Sequence, residues 1–306
     1  METEGSITKS RAANWPLAAF LFSVLFIGFN AIGVRYVIAE LPPFWAAALR
    51  FAPAGAILFI LMLLLRLPIP RGKSLLGAVL YGALNFGASY AFLYQGLEKV
   101  KPGMTQVILA LVPLFTLLFA ILHKQEHFRW NALLGALLAL AGVAIVFREQ
   151  IQENVPVISL IEVILGSLCI AESSVIAKSF PKNHPISTNA IGMITGAIIL
   201  MAMSLIWKEA WFLPKSSASW FALAYLILIG SCVAFILFLF VLKQWSASIN
   251  SYQFVLLPFV TVTASAWLTH EKLSPVLLSG AALVLLGVYF GAIFTPGKYK
   301  RKAVPL

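Results

Sequence analysis

Apolar residues fall in ten long runs, near 16–38, 44–65, 74–96, 103–122, 130–148, 156–178, 187–207, 218–242, 248–269 and 273–294. A helix that crosses the hydrocarbon core of a bilayer needs about 20 mostly apolar residues, and each run is about that long. Turn-formers and polar residues gather between the runs, at Pro42-Pro43, Pro68 to Gly72, Lys101-Pro102-Gly103, Pro181 to Pro185 and Pro214. The pattern predicts an all-α membrane protein of ten transmembrane helices, with polar tails at 1–14 and 295–306 and no stretch for a soluble domain. The first run is too long for the core of a signal peptide, so it is expected to stay as the first span.

The same pattern is written twice. "EHFRWNALLGALLALAGV" at 126–143 and "EKLSPVLLSGAALVLLGV" at 271–288 both fit Pro-x12-Glu-x8-Gly-x6-Gly-Val. The first copy uses Pro113, Glu126, Gly135, Gly142 and Val143; the second uses Pro258, Glu271, Gly280, Gly287 and Val288, each 145 residues later. Five agreements at one offset without a gap indicate an internal duplication. Two repeats of five spans follow, at 15–148 and 156–294. Five is odd, so the second repeat must lie inverted in the membrane relative to the first. Inverted halves give two near-equivalent arrangements of one scaffold, the geometry of alternating access to a midplane site.

Composition agrees. Residues are 61% hydrophobic and 11% charged, where soluble domains carry about a quarter charged. The net charge of +11 comes from 22 Lys and Arg against 11 acids, all of them glutamate. These basic residues sit in short clusters between apolar runs, where they orient spans, so a nucleic-acid partner is not expected. With the N-terminus inside, 14 basic residues collect on the inner side and seven on the outer. Both termini are therefore expected in the cytoplasm, the C-terminal one as a basic tail. Cys169 and Cys232 both lie in apolar runs, without spacing for a disulfide framework or a metal site. No cofactor or metal is expected.

At this point particular residues resemble a known family. "IGFNAIGVR" in the first span is similar to the Trp-Gly-Ser-Asn-Phe-x-x-x-Lys pattern of the two-EamA-domain family in the drug/metabolite transporter superfamily. Gly28 and Asn30 match, Ile27 stands for the tryptophan and Arg35 for the lysine. Pro43 and the Arg50-Phe51 pair with Ala54 resemble the opening of that family's second span, and the duplicated template resembles the close of each domain. In the sixth span, "SLCIAESSVIAK" departs from the family, with Ile170 at the usual tryptophan position and Glu172 two residues on. The resemblance implies ten helices, a central cavity between the halves, a bacterial inner-membrane location, and transport of small metabolites, amino acids moved outward among them.

Arg50 stands about six residues into the second span, roughly 9 Å below the outer boundary at 1.5 Å per residue. A buried arginine is costly unless it faces water or a partner. It is a candidate grip for a substrate carboxylate, against a structural role snorkelling outward or pairing with Glu40. Glu172 is the acid deepest in any span; it is a candidate proton or amine site, against a neutral acid bonded to another helix. Depth separates it from Arg50 by about 10 Å, too far for a direct salt bridge. Tyr81 and Asn85 share one face of the third span and Tyr90 lies on the next. They and Asn30 are expected to line a cavity, with interhelical hydrogen bonding as the alternative. Asn250, Tyr252 and Gln253 open the ninth span and are read as interfacial anchors. Pro113 and Pro258 remove matched backbone N–H groups, which predicts either paired kinks for gating or inherited bends. The duplicated glycines are expected to permit close helix packing.

Competing classes lack their parts. "RGKS" at 71–74 has Leu67 where the first glycine of a phosphate-binding loop belongs, and a hydrolase would need a nucleophile with its base or a metal pair that the four histidines do not form. The chain is thus expected to be a secondary transporter and not an enzyme, carrying a small amphipathic metabolite, with or without coupled protons. A passive channel for small polar solutes is the competing reading, and a homodimer is compatible with the same pattern.

Overall fold

The computed structural model describes residues 4–128, positions 130, 131, 134, 135, 137, 138, 141, 142, 144 and 145, and residues 155–268 and 275–290. The described residues are helical, joined by short turns. The first apolar run forms α1 (Glu4–Gly28) and α2 (Asn30–Ile38), separated by a turn at Phe29. The second forms α3 (Pro43–Leu64). The third is α4 (Lys73–Gly82), a π-helical turn π1 (Ala83–Ala88) and α5 (Ser89–Lys99). The fourth is split into α6 (Pro102–Leu109) and α7 (Val112–Leu122).

The second half follows with α8 (Val157–Ser179) and α9 (Pro185–Ile206). Next come α10 (Ser217–Ile227), a second π-helical turn π2 (Leu228–Val233) and α11 (Ala234–Gln244). The chain continues through α12 (Ala247–Asn250), α13 (Gln253–Leu268) and α14 (Pro275–Val288). Seven helical stretches among the described residues are long and apolar enough to cross a membrane, matching the first four and the sixth to eighth of the ten runs. The ninth run is broken at Ser251–Tyr252, and α14 carries the tenth at 14 residues. The fifth run falls on positions of which ten are described, all helical. Glu271, both polar tails beyond their described edges and the side chain of Val288 lie outside the described residues.

Local chemistry explains the helix ends. Proline opens α3, α6 and α9, where its missing N–H has no intrahelical partner to lose. The hydroxyls of Ser216 and Ser246 cap α10 and α12 by accepting from Ser219 N and Ile249 N. Three helices end on a basic residue in the left-handed region: Arg66 (φ 50), Lys124 (φ 58) and Lys208 (φ 55). Each makes the same pair of bonds; in the first, Arg66 N donates to Leu63 O and Leu67 N to Met62 O. This closure satisfies the last carbonyls and sets a cation at the negative end of the helix.

The duplication is visible in the elements. π1 and π2 begin 145 residues apart, the spacing of Pro113 and Pro258. Packing follows the same exchange. α5 packs on α8 as α11 packs on α1, and α7 packs on α8 as α13 packs on α1, while α3 packs on its mate α9 and the fourth run packs on its mate the ninth, through α6 and α13. The α4–α9 crossing is so close that a Cβ on Gly82 would lie 2.3 Å from Gly192 Cα. Gly142 of the template lies against Gly280 of α14, its Cβ position 2.7 Å from the Gly280 carbonyl oxygen, which agrees with the packing role read from the repeat.

Two expectations are corrected. Pro113 and Pro258 occupy matched sequence positions but unlike structural ones. Pro113 sits in the first turn of α7, after a break at Ala110–Leu111, whereas Pro258 lies inside a continuous α13. The second copy breaks at Ser251–Tyr252 instead, seven residues before its proline. A proline in a first turn costs no hydrogen bond, so its position does not force a kink. Asn250 and Gln253 are not interfacial: both are fully buried, Gln253 bonding Ser23 of α1 and donating to Asn250 Oδ1 at 2.9 Å.

Candidate functional site

Arg50 is fully buried, so its charge must be met inside the protein. The π2 turn meets part of it. Arg50 Nη2 donates to Gly230 O at 3.0 Å and Nε to Ser231 Oγ at 2.8 Å. Asn30, the first residue of α2, donates its Nδ2 to the same Gly230 carbonyl at 3.1 Å. A π-helical turn shifts the backbone hydrogen-bond register and leaves such a carbonyl available. A Cβ at 230 would lie 2.1 Å from Asn30 Oδ1, so any other residue there must displace the Asn30 amide. The aromatic faces of Phe51 and Tyr90 lie 4.9 and 5.0 Å from the guanidinium carbon, a cation–π arrangement. Glu40, the partner considered for Arg50 from sequence, bonds elsewhere.

These residues line one wall of a cavity of about 50 Å³ bounded by α1, α2, α3, α5, α6, α8 and α13. Its polar lining is Asn30, Arg50, Tyr90, Tyr94, Thr105 and Gln106; the remainder is aliphatic or aromatic, with Ile170 where the family pattern has tryptophan. Among the described residues, five buried polar atoms of this lining make no hydrogen bond of ordinary geometry: Asn30 Oδ1, Arg50 Nη1, Tyr94 Oη, Thr105 Oγ1 and Gln106 Oε1, with Tyr94 and Arg50 close enough to interact. Buried polar groups are ordinarily paired. Five such atoms belong to residues lining one cavity, one of them on a cation, which makes this cavity the candidate site. The breaks at Phe29 and at Ala110–Leu111 border this cavity, as discontinuous helices border transporter sites.

Sequence reasoning placed six residues in the site, and the structure brings three of them, Arg50, Asn30 and Tyr90, to the cavity. Tyr81 and Asn85 join a separate interhelical cluster. Asn85 Nδ2 donates to Tyr81 Oη at 3.3 Å, and Ser173 Oγ of α8 donates to Asn85 Oδ1 at 3.0 Å. Glu172 also lies off the cavity lining, with Oε1 2.8 Å from His123 Nε2 at the end of α7. Its Oε2 is buried without a partner within the protein. Gly230, Ser231 and Thr105 were missed. The repeat offered a signal for the first two, since the polar residues of π1 drew attention to the third span and π2 is its mate.

One end of the bundle is fastened across the halves. The Glu209 carboxylate caps α3, accepting from Phe44 N at 3.1 Å and Trp45 N at 2.7 Å. The Glu40 carboxylate serves the start of α10, accepting from Lys215 N at 2.6 Å and Ser219 Oγ at 2.9 Å. These bonds from Ser216, Lys215 and Ser219 hold Glu40 well below its ordinary value, at about 2. Trp45 and Trp211 stack between the two carboxylates, ring centroids 5.2 Å apart.

Comparison with known proteins agrees with this architecture. A solved structure superimposes with a TM-score of 0.69 at 18% identity, covering 91% of this chain and 96% of that one, a likeness of fold. The inner membrane transporter YedA of Escherichia coli K12, itself uncharacterized, is 28% identical over 95% of this chain and 94% of its own length. The uncharacterized transporter YyaM of Bacillus subtilis is 28% identical over 91% and 94%. The profile of the EamA-like transporter family matches twice, at residues 14–148 and 157–292. With both halves matched and helices built to span a bilayer, the chain is an integral membrane protein and belongs to the EamA-like transporter family.

Proposed function

We propose that the protein is a secondary transporter that exports small amphipathic metabolites carrying a carboxylate, amino acids foremost, across the bacterial inner membrane by alternating access. The reading takes the chain as ten spans in two inverted repeats, 15–148 and 156–294, with both termini cytoplasmic. Its main support is the clustering around one cavity of Arg50, Asn30, Tyr94, Thr105 and Gln106, whose buried polar groups are incompletely bonded among the described residues. Arg50 Nη1 would bind a carboxylate oxygen. Among the described residues no carboxylate lines the cavity, so a substrate ammonium would be met by the carbonyl oxygens of Asn30 and Gln106 and the face of Tyr90. Tyr81 and Asn85 hold the third span to the sixth outside the binding surface. Glu172 with His123 is the titratable pair for any proton coupling, since it bridges α7 and α8 next to the cavity wall.

Counterflow in proteoliposomes, with labelled amino acids and amines and with or without a pH gradient, tests this. Saturable exchange of a carboxylate-bearing substrate is expected. Arg50→Lys should raise KM about 10- to 100-fold, because a charge-assisted hydrogen bond contributes about 1.5–3 kcal/mol and an ammonium does not reproduce the planar fork. Glu172→Gln should remove any response to the pH gradient while exchange persists. Non-saturating flux without exchange would establish a channel instead.

A further inference from the structure

At the opposite end of the bundle from the Trp45–Trp211 stack, a second cavity of about 50 Å³ opens between α4, α8, α9 and α11. Three lysines from three elements line it: Lys178 from the last turn of α8, Lys182 from the following loop and Lys243 from the last turn of α11. Lys182 lies within electrostatic reach of both others. Among the described residues none of the three forms an ion pair with a carboxylate. The cleft is held in shape. Asn183 donates its Nδ2 to Ser74 O at 3.0 Å and its Oδ1 meets the Ser74 hydroxyl, which fixes the loop to the start of α4. His184, capping α9, adds no anion; burial and the Lys243 ammonium hold its imidazole below the ordinary range.

Lys178 and Lys243 sit at helix C-termini, which favour a cation. Lys182 has no such reason and adds repulsion. Three like charges around one opening are stable together when an anion shares it. The volume admits roughly four water-sized groups, the oxygens of one phosphoryl group. Phe180, Leu239 and Leu242 give the same cleft an apolar wall. Basic pockets between transmembrane helices take phosphorylated headgroups in this way.

We propose that the Lys178–Lys182–Lys243 cleft is a phosphoryl-anion site, filled by an anionic phospholipid headgroup or by free phosphate and separate from the cavity at Arg50. The test uses the purified full chain in detergent, comparing Lys182→Gln/Lys243→Gln with Arg71→Gln/Lys73→Gln, a matched loss of charge at the same end but outside the cleft. Lys178 is left in place because it is partly buried. Native mass spectrometry should show wild type and the control pair retaining phosphatidylglycerol over phosphatidylcholine. The cleft pair should retain it roughly thirtyfold less, at about a tenfold loss for every 1.4 kcal/mol and about 1 kcal/mol per lysine. Inorganic phosphate without lipid, at matched ionic strength, should raise the unfolding temperature of wild type and not of the cleft pair if the free ion is the source. No effect of phosphate, with phosphatidylglycerol still selected, assigns the site to lipid. Equal loss in both pairs, or no preference in wild type for either phosphoryl anion, overturns the proposal. Should the cleft pair fail to fold, Lys182→Gln alone, at an exposed loop position, must still show about a fivefold loss.

Discussion

The energetics of the site concentrate on one carbonyl. Gly230 O accepts from both Arg50 and Asn30, and the approach leaves no room for a side chain at 230. Gly230→Ala should therefore displace Asn30 and Arg50 together, cutting transport at least about tenfold, as loss of a charge-assisted bond implies. Membrane insertion and expression should stay near wild type, since α10 and α11 remain apolar. Flux in proteoliposomes measured against protein content separates the two effects; normal flux would remove Gly230 from the site. That glycine was not legible in the sequence, because its meaning depends on a π-helical turn that no side-chain pattern encodes. Arg50 was legible, since a lone cation inside an apolar run must have a reason to be there. Asn85 was misleading for a related cause: a buried amide signals a partner without saying whether it is a ligand or Ser173 of a neighbouring helix.

At the scale of elements, the Glu209 carboxylate caps α3 and the Glu40 carboxylate anchors the turn leading into α10, each in the other half of the chain. Carboxylates stabilise helix N-termini through the free N–H groups and the macrodipole, so the two carboxylates help hold this end shut. Glu40 is depressed to about 2 from an ordinary 4.5. A depressed acid stabilises the fastened end above its ordinary value and loses that contribution as pH falls through the folded one. The tie from Glu40 to the start of α10 should thus loosen between about pH 4.5 and 2, and any loosening that reaches the Trp45–Trp211 stack reads as loss of a near-ultraviolet circular dichroism signal that is missing in Trp211→Phe. Glu40→Gln should weaken the same signal at neutral pH; a signal indifferent to both would show that the stack holds itself. None of this was visible in the sequence, where Glu40 and Glu209 lie 169 residues apart in separate loops. Seven of the ten runs were legible as helices to within a few residues among the described residues, because an apolar run bounded by turn-formers leaves few alternatives. Breaks within runs were not, since Phe29 and Ala110–Leu111 carry no breaker of their own.

For the whole molecule, the exchange of packing partners between halves ties the fastened end to the cavity. α3 carries Trp45 and Arg50 and packs on its mate α9, and Glu209 and Trp211 lie in the loop that follows α9. A rigid-body shift of α3 would move Trp45 against Trp211 and Arg50 against Gly230 together. Alternating access requires the separation during each cycle, whereas a fixed pore does not. Trp45→Cys/Trp211→Cys, placed in a chain with Cys169→Ala and Cys232→Ala and bridged by a short bifunctional thiol reagent, should abolish exchange. Binding from the opposite side should survive, seen as protection of the unbridged and bridged forms alike against thermal unfolding by substrate. Each single-cysteine chain treated with the reagent should keep its exchange. Continued flux through the bridged protein would show that this end does not open in transport, and would leave the paired carboxylates as a static clasp.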